Sequence, residues 1–124
     1  MRAGSLGDFH FRYTRAQALR DGLLLDITPA AREHAEIPVH TVLTLGLWRT
    51  LAGNAAFTAD DPRVKDLCYG LLFAAVGLTP GRWSGQDTLR FGFKTGERQL
   101  EAKLVLGPGD DGELVATLML LAED

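Results

Sequence analysis

TLRFGFKTGERQLEAKLVLGPGDDGELVATLML, running from Thr88 to Leu120, decides the fold class of this 124-residue chain. Leu89, Phe91 and Phe93 alternate with Arg90, Gly92 and Lys94. That two-residue period places one set of side chains on a buried sheet face and the other set in water. Thr95-Gly96-Glu97 is turn chemistry. Leu100, Ala102, Leu104 and Leu106 alternate again, Gly107 to Gly112 supplies a second turn, and Leu114 to Leu120 reads as a third strand. Residues 88–120 therefore predict a three-stranded antiparallel meander with Leu89, Phe91 and Phe93 on one face.

Upstream, PRVKDLCYGLLFAAV (Pro62 to Val76) repeats Val64, Leu67, Cys68, Leu71, Leu72 and Ala75 at helical spacing. Asp60 or Asp61 can cap this helix, and Pro62 suits its first position, where a missing amide proton costs nothing. Tyr69, Phe73 and Val76 make a second side apolar, so the helix is central to the core or faces a partner. LTPGRWSGQ (78–86) is turn-rich throughout.

Towards the N-terminus, Thr14 and Gln17 form a capping box for a helix over 15–21 that stops at Gly22. Leu23 to Ile27 reads as a strand. Thr28 as cap and Pro29 as first residue open a helix to about Glu36, broken by Ile37-Pro38. Val39 to Leu43 is a β-branched stretch that reads as a strand. Thr44 caps a helix to Leu51 carrying Trp48, ended by Gly53-Asn54. The expectation is an α+β fold: N-terminal short helices and strands, one long core helix and the C-terminal meander. Residues 1–12 form an arm or edge strand (Phe9 to Tyr13 alternates aromatic with polar), and residues 13–124 form one domain.

Composition sets the outer bounds. Apolar residues make up 46% and charged residues 23%, an ordinary globular balance that supports a core without staples. The longest apolar stretch, Leu71 to Leu78, is far short of the ~20 residues that span a bilayer. Asp8 and His10 interrupt the place where a secretion signal would need its apolar run, and the lone Cys68 excludes an intrachain disulfide. Both lead us to expect a cytoplasmic protein. The net charge is −3, and its bases are dispersed while residues 107–124 carry five acids and no base. A nucleic-acid binder concentrates its bases on one face, so direct nucleic-acid binding is not expected.

The chemistry-bearing residues point away from catalysis. Gly107 to Gly112 matches G-x-G-x-x-G, but a strand follows instead of a helix, and two aspartates would repel a pyrophosphate; a hairpin turn is the expectation. Asp110, Asp111 and Glu113 lack the spacing of a calcium loop. His10, His34 and His40 show no zinc-ligand spacing. Cys68 sits on the apolar stripe of the long helix, where a buried thiol is inert. Ser5 and Ser84 lie in no nucleophile elbow. No enzyme activity, no metal and no cofactor are expected. Trp48 reads as core. Trp83, beside Arg82 in a Pro-Gly-Arg-Trp-Ser-Gly loop, is either an interface anchor or folded back on the sheet.

YTRAQALRDGLLLDIT (Tyr13 to Thr28), the following AREHAEI, Thr44-Leu45-Gly46-Leu47-Trp48, Arg63-Val64-Lys65-Asp66-Leu67 and LVLGPGDDGE with its TLML strand carry a resemblance. The chain resembles an uncharacterised family of small proteins borne by plasmids and other mobile elements of proteobacteria. The likeness covers almost everything from Tyr13 onward. The 48–61 connection and the 78–88 loop look shorter than is usual there, and the 1–12 arm is this chain's own. The family brings no catalytic residues. Its habitat implies an accessory or counter-defence role of the anti-CRISPR type, exerted by stoichiometric binding.

The functional expectation is therefore a non-catalytic protein-binding module that blocks a host defence system, with a CRISPR effector complex as the partner class. Asp110, Asp111, Glu113, Glu123 and Asp124 would form an acidic contact surface mimicking phosphate charge, and Trp83 and Arg82 an anchor. Two rivals stand beside it: a small metal-dependent or hydrolytic enzyme built on the histidines, and a structural homodimer. A homodimer is also expected from surplus apolar surface on the long helix, the Phe9 to Tyr13 segment and the Leu118 to Leu121 stretch.

Overall fold

In the computed structural model, residues 14–76, 83–84 and 87–123 are described. They form an α+β arrangement of four helices on a six-stranded mixed sheet. In chain order the elements are α1 (Arg15–Arg20), β1 (Leu24–Asp26), α2 (Thr28–Ala35), β2 (His40–Thr44), α3 (Leu45–Ala52), α4 (Pro62–Val76), β3 (Trp83–Ser84), β4 (Thr88–Thr95), β5 (Arg98–Pro108) and β6 (Leu114–Met119). The sheet order is β1-β2-β6-β5-β4-β3.

Strands β4, β5 and β6 pair antiparallel in sequence, through Thr88↔Val105 and Thr95↔Arg98 and then Lys103↔Met119 and Pro108↔Leu114. They do not make a separate sheet. β6 also takes β2 as a parallel neighbour, with His40 opposite Val115 and Leu43 opposite Leu118. β1 then pairs antiparallel with β2. β6, read from sequence as the outer strand of a meander, thus lies inside the sheet, where Leu118 and Ala116 are fully buried.

Helix starts follow their local chemistry. Thr14 Oγ1 accepts the Gln17 amide at 3.0 Å, and Gln17 Oε1 accepts the Thr14 amide at 2.9 Å. Thr44 Oγ1 accepts the Leu47 amide, and the Asp61 carboxylate accepts the Arg63 amide. Thr28 departs from its expected role. It is the first residue of α2 and caps nothing. Its hydroxyl accepts the Thr41 amide at 3.0 Å and donates to the Thr41 carbonyl, while its own amide is taken by Asp26 Oδ1. A half-buried position beside β2 gives that hydroxyl two partners where the helix end offered one.

One face of the sheet carries the core. Leu43, Leu89, Phe91, Phe93, Ala102, Leu104, Ala116 and Leu118 meet Leu47, Trp48, Val64, Leu67, Cys68 and Leu71 from the helices. Gly70 sets how closely α4 approaches β4: a Cβ there would overlap the Cβ of Phe93 and crowd the Gly92 carbonyl. The expected stripe narrows towards its end, where Leu72 is half-buried and Ala75 exposed, and on the second apolar side Tyr69 is 43% exposed and Phe73 is 79% exposed. The sheet covers one stripe of this helix and α2 reaches only part of the rest, where His34 meets the Tyr69 ring edge-on at 5.4 Å.

Candidate partner-binding site

The acidic turn between β5 and β6 is built by a close backbone pairing, with the Gly109 amide donating to the Glu113 carbonyl at 2.6 Å. Within it, Asp110 is not simply solvated, as the sequence implied. Its two carboxylate oxygens accept the backbone amides of Arg15 at 2.9 Å and Ala16 at 3.0 Å. These are the first residues of α1, whose amides have no partner inside the helix. Those two bonds hold the Asp110 carboxyl below its ordinary pKa, with the nearby Arg15 guanidinium adding to the effect. The Arg15 side chain reaches over β6 to donate to Thr117 Oγ1 and the Ala116 carbonyl, both at 3.0 Å. Asp110 and Arg15 together therefore fasten α1 to the sheet. Glu113 turns inward to accept the Asp111 amide at 3.1 Å. Both Asp111 and Glu113 remain exposed.

The other candidates are scattered. Cys68 is buried, and burial pushes its thiol up to about 12, far from a reactive thiolate. His40 Nε2 lies 3.3 Å from Asp26 Oδ2, and His34 lies beside Tyr69. No group of three or more His, Cys, Asp or Glu that could hold a metal ion occurs among the described residues. Trp48 is core, as expected; its Nε1 donates to the Ala55 carbonyl at 2.9 Å and its ring lies under the Arg63 guanidinium. Arg63 in turn forks onto Asp61 with two 2.9 Å bonds, and that bonding holds the Asp61 carboxyl low. Arg82, His10, Asp124 and the 1–12 arm lie outside the described residues. Trp83 is placed in β3, opposite Leu89.

A site the sequence did not indicate lies at the outer edge of β4. β3 has two residues and pairs only with Thr88 and Leu89. Among the described residues no strand covers β4 from Arg90 to Thr95. A cleft of about 360 Å³ wraps this edge. Asp66, Tyr69, Gly70 and Phe73 line it from α4, and Gly92, Phe93, Lys94 and Gln99 from the sheet. On the sheet face opposite α4, Arg90 stands directly across from Lys103 and Lys94 across from Gln99. Like charges placed directly across a strand pair are destabilising. Among the described residues none of Arg90, Lys94 and Lys103 belongs to an ion pair. The site thus joins exposed aromatic surface with cations that, among the described residues, belong to no ion pair. Its sequence signal is faint: a cation pair visible only once the register is known.

No family model matches the chain, and neither the curated proteins nor the solved structures contain a match to it.

Proposed function

We propose that the chain is a non-catalytic protein-binding module whose contact surface is centred on Tyr69 and Phe73 beside the β4 edge. The observation that carries this reading is Phe73 at 79% exposure on the longest helix, next to a second part-exposed aromatic. Large aromatics at a cleft are the side chains that dominate binding energy when a partner removes them from water. The resemblance through Tyr13 to Thr28 and Leu104 to Glu113 supplies the biological setting: a mobile-element protein acting as a stoichiometric inhibitor of a host defence complex. Asp111 and Glu113, exposed at one end of the sheet, support a second contact of acidic character with a basic partner surface.

Titration of the protein into a purified CRISPR effector complex tests this. DNA binding by the effector is expected to fall and to end near a one-to-one ratio, with Phe73→Ser shifting the curve to higher protein concentration. Loss of effector function at far lower ratios would mean turnover and overturn the binding-module reading, as would a Phe73→Ser curve identical to the parent's.

A further inference from the structure

We infer that the sheet face opposite α4, across β4 and β5, binds an acidic helix of a partner protein. This rests on the binding-module reading and names the chemistry of a partner. The ladder between the two strands sets the geometry. The Leu106 amide donates to the Asp87 carbonyl at 2.8 Å, which makes Asp87 and Leu106 a hydrogen-bonded pair. Along an antiparallel ladder such pairs alternate with non-hydrogen-bonded ones. Arg90 and Lys103, three positions on, therefore form a non-hydrogen-bonded pair, the kind whose side chains stand closest. Two cations so placed repel, and among the described residues neither has an acid as ion-pair partner.

The order of charge on this face dictates the occupant. Arg90, Gly92, Lys94 and Glu101 are exposed there and Lys103 is half-buried. Along β4 come Arg90 beside Lys103, then Gly92 opposite Glu101, then Lys94, about 13 Å from Arg90 at the rise of a strand. The face is thus positive at both ends, with one acid between and a net positive sum. Of the described helices, α1 stands at its margin, with Arg15 reaching Thr117 of β6. A helix laid on a sheet is the packing that α4 already makes on the other face. One carrying acids two turns apart, about 10 Å, and a base midway between them meets this order charge for charge. The long side chains of both partners span the remaining distance.

Other occupants fit this face less well. A nucleic-acid strand would bring its phosphates against Glu101, and among the described residues no aromatic of β4 or β5 points to this face to stack a base. Two copies of the chain joined face to face would set cations on cations. Within the chain the Arg90–Lys103 pair lowers stability. A carboxylate placed between the two side chains removes that repulsion, and the same cations exclude partners of their own sign.

The test is a titration of the ¹⁵N-labelled protein at low ionic strength, followed by amide chemical shifts. Three probes are compared: a helical peptide with Glu two turns apart and Lys midway, the same peptide with Glu and Lys exchanged, and a single-stranded oligonucleotide. Expected are shifts centred on residues 88–94 and 99–103 with the first peptide, roughly tenfold weaker binding of the exchanged one, and loss of affinity in added salt. Arg90→Glu separates a binding role from a structural one. It turns a like-charge pair into an opposite-charge pair, so the melting temperature should rise while affinity for the first peptide falls. Lys94→Gln, which lies outside that pair, should weaken binding with the melting temperature unchanged. Undiminished affinity in both variants would overturn the inference. Equal binding of the two peptides, tighter binding of the oligonucleotide, or no shifts on this face at any peptide concentration would do the same. If the first peptide fails while Phe73→Ser still weakens binding to the effector, the acidic-helix inference falls and the binding-module reading stands.

Discussion

Asp110 illustrates what a single residue can hide. From sequence it is one of three acids in a Gly-Pro-Gly turn, where solvation is the default. In the fold its carboxylate supplies the missing acceptors for Arg15 and Ala16, 95 and 94 positions away. The caps provided by Thr14, Thr44 and Asp61 were legible because donor and acceptor lie within three residues. A cap delivered across the whole chain leaves no local pattern. Asp110→Ala should therefore lower the melting temperature and speed hydrogen exchange through α1, while Asp111→Ala, whose carboxylate makes no such bonds, should do neither. The effect has a defined pH dependence. The folded carboxyl titrates below its unfolded value of ~3.9, so its contribution is complete above that value. It is lost as pH falls through the folded pKa. Thermal unfolding followed by circular dichroism should show the parent and Asp110→Ala diverging at neutral pH and converging in acid. A gap that widens in acid would contradict the assignment.

At the scale of an element, α4 separates two kinds of apolar residue that the sequence pattern could not. Its start at Asp61-Pro62, its length and its buried stripe of Val64, Leu67, Cys68 and Leu71 followed from spacing and capping alone. How far round the helix the sheet reaches depends on packing partners far along the chain, so Leu72, on the same stripe as Leu71, is only half-buried. The distinction predicts opposite outcomes for neighbouring substitutions. Leu71→Ala removes a fully packed side chain and should cost ~2–5 kcal/mol. Gly70→Ala places a methyl group against the Phe93 Cβ and the strand backbone, neither of which can swing away, and should cost roughly 1–3 kcal/mol. Phe73→Ser touches an exposed surface and should stay within about 0.5 kcal/mol. Chemical denaturation of the three variants checks this ordering. A large loss for Phe73→Ser would return that side chain to the core and remove it from any binding surface.

For the whole molecule, the parallel junction between β2 and β6 was the feature beyond reach of sequence reading. An antiparallel neighbour joined by a tight turn announces itself through turn residues, as at Gly96 and Gly107 to Gly112. A parallel partner reached through two helices and three strands does not. That junction changes the case for self-association. Of the apolar segments that suggested a homodimer, the Leu118 region is interior to the sheet, and Phe9 to Tyr13 lies outside the described residues. Of the long helix, Tyr69 and Phe73 are left at the described surface, in the cleft that Lys94 also lines. If Arg90 and Lys94 govern pairing, the parent chain should scatter light as a 13.5 kDa monomer over a wide concentration range. Lys94→Glu then offers a direct test. Self-pairing about Gly92 would place Arg90 of each copy opposite the new carboxylate of the other, two favourable pairs related by a twofold axis. That variant is expected to dimerise, and added salt should weaken the dimer because exposed charge pairs are screened. A parent that is already dimeric, or a Lys94→Glu protein that stays monomeric at every concentration, would show that charge on β4 does not decide what pairs with it.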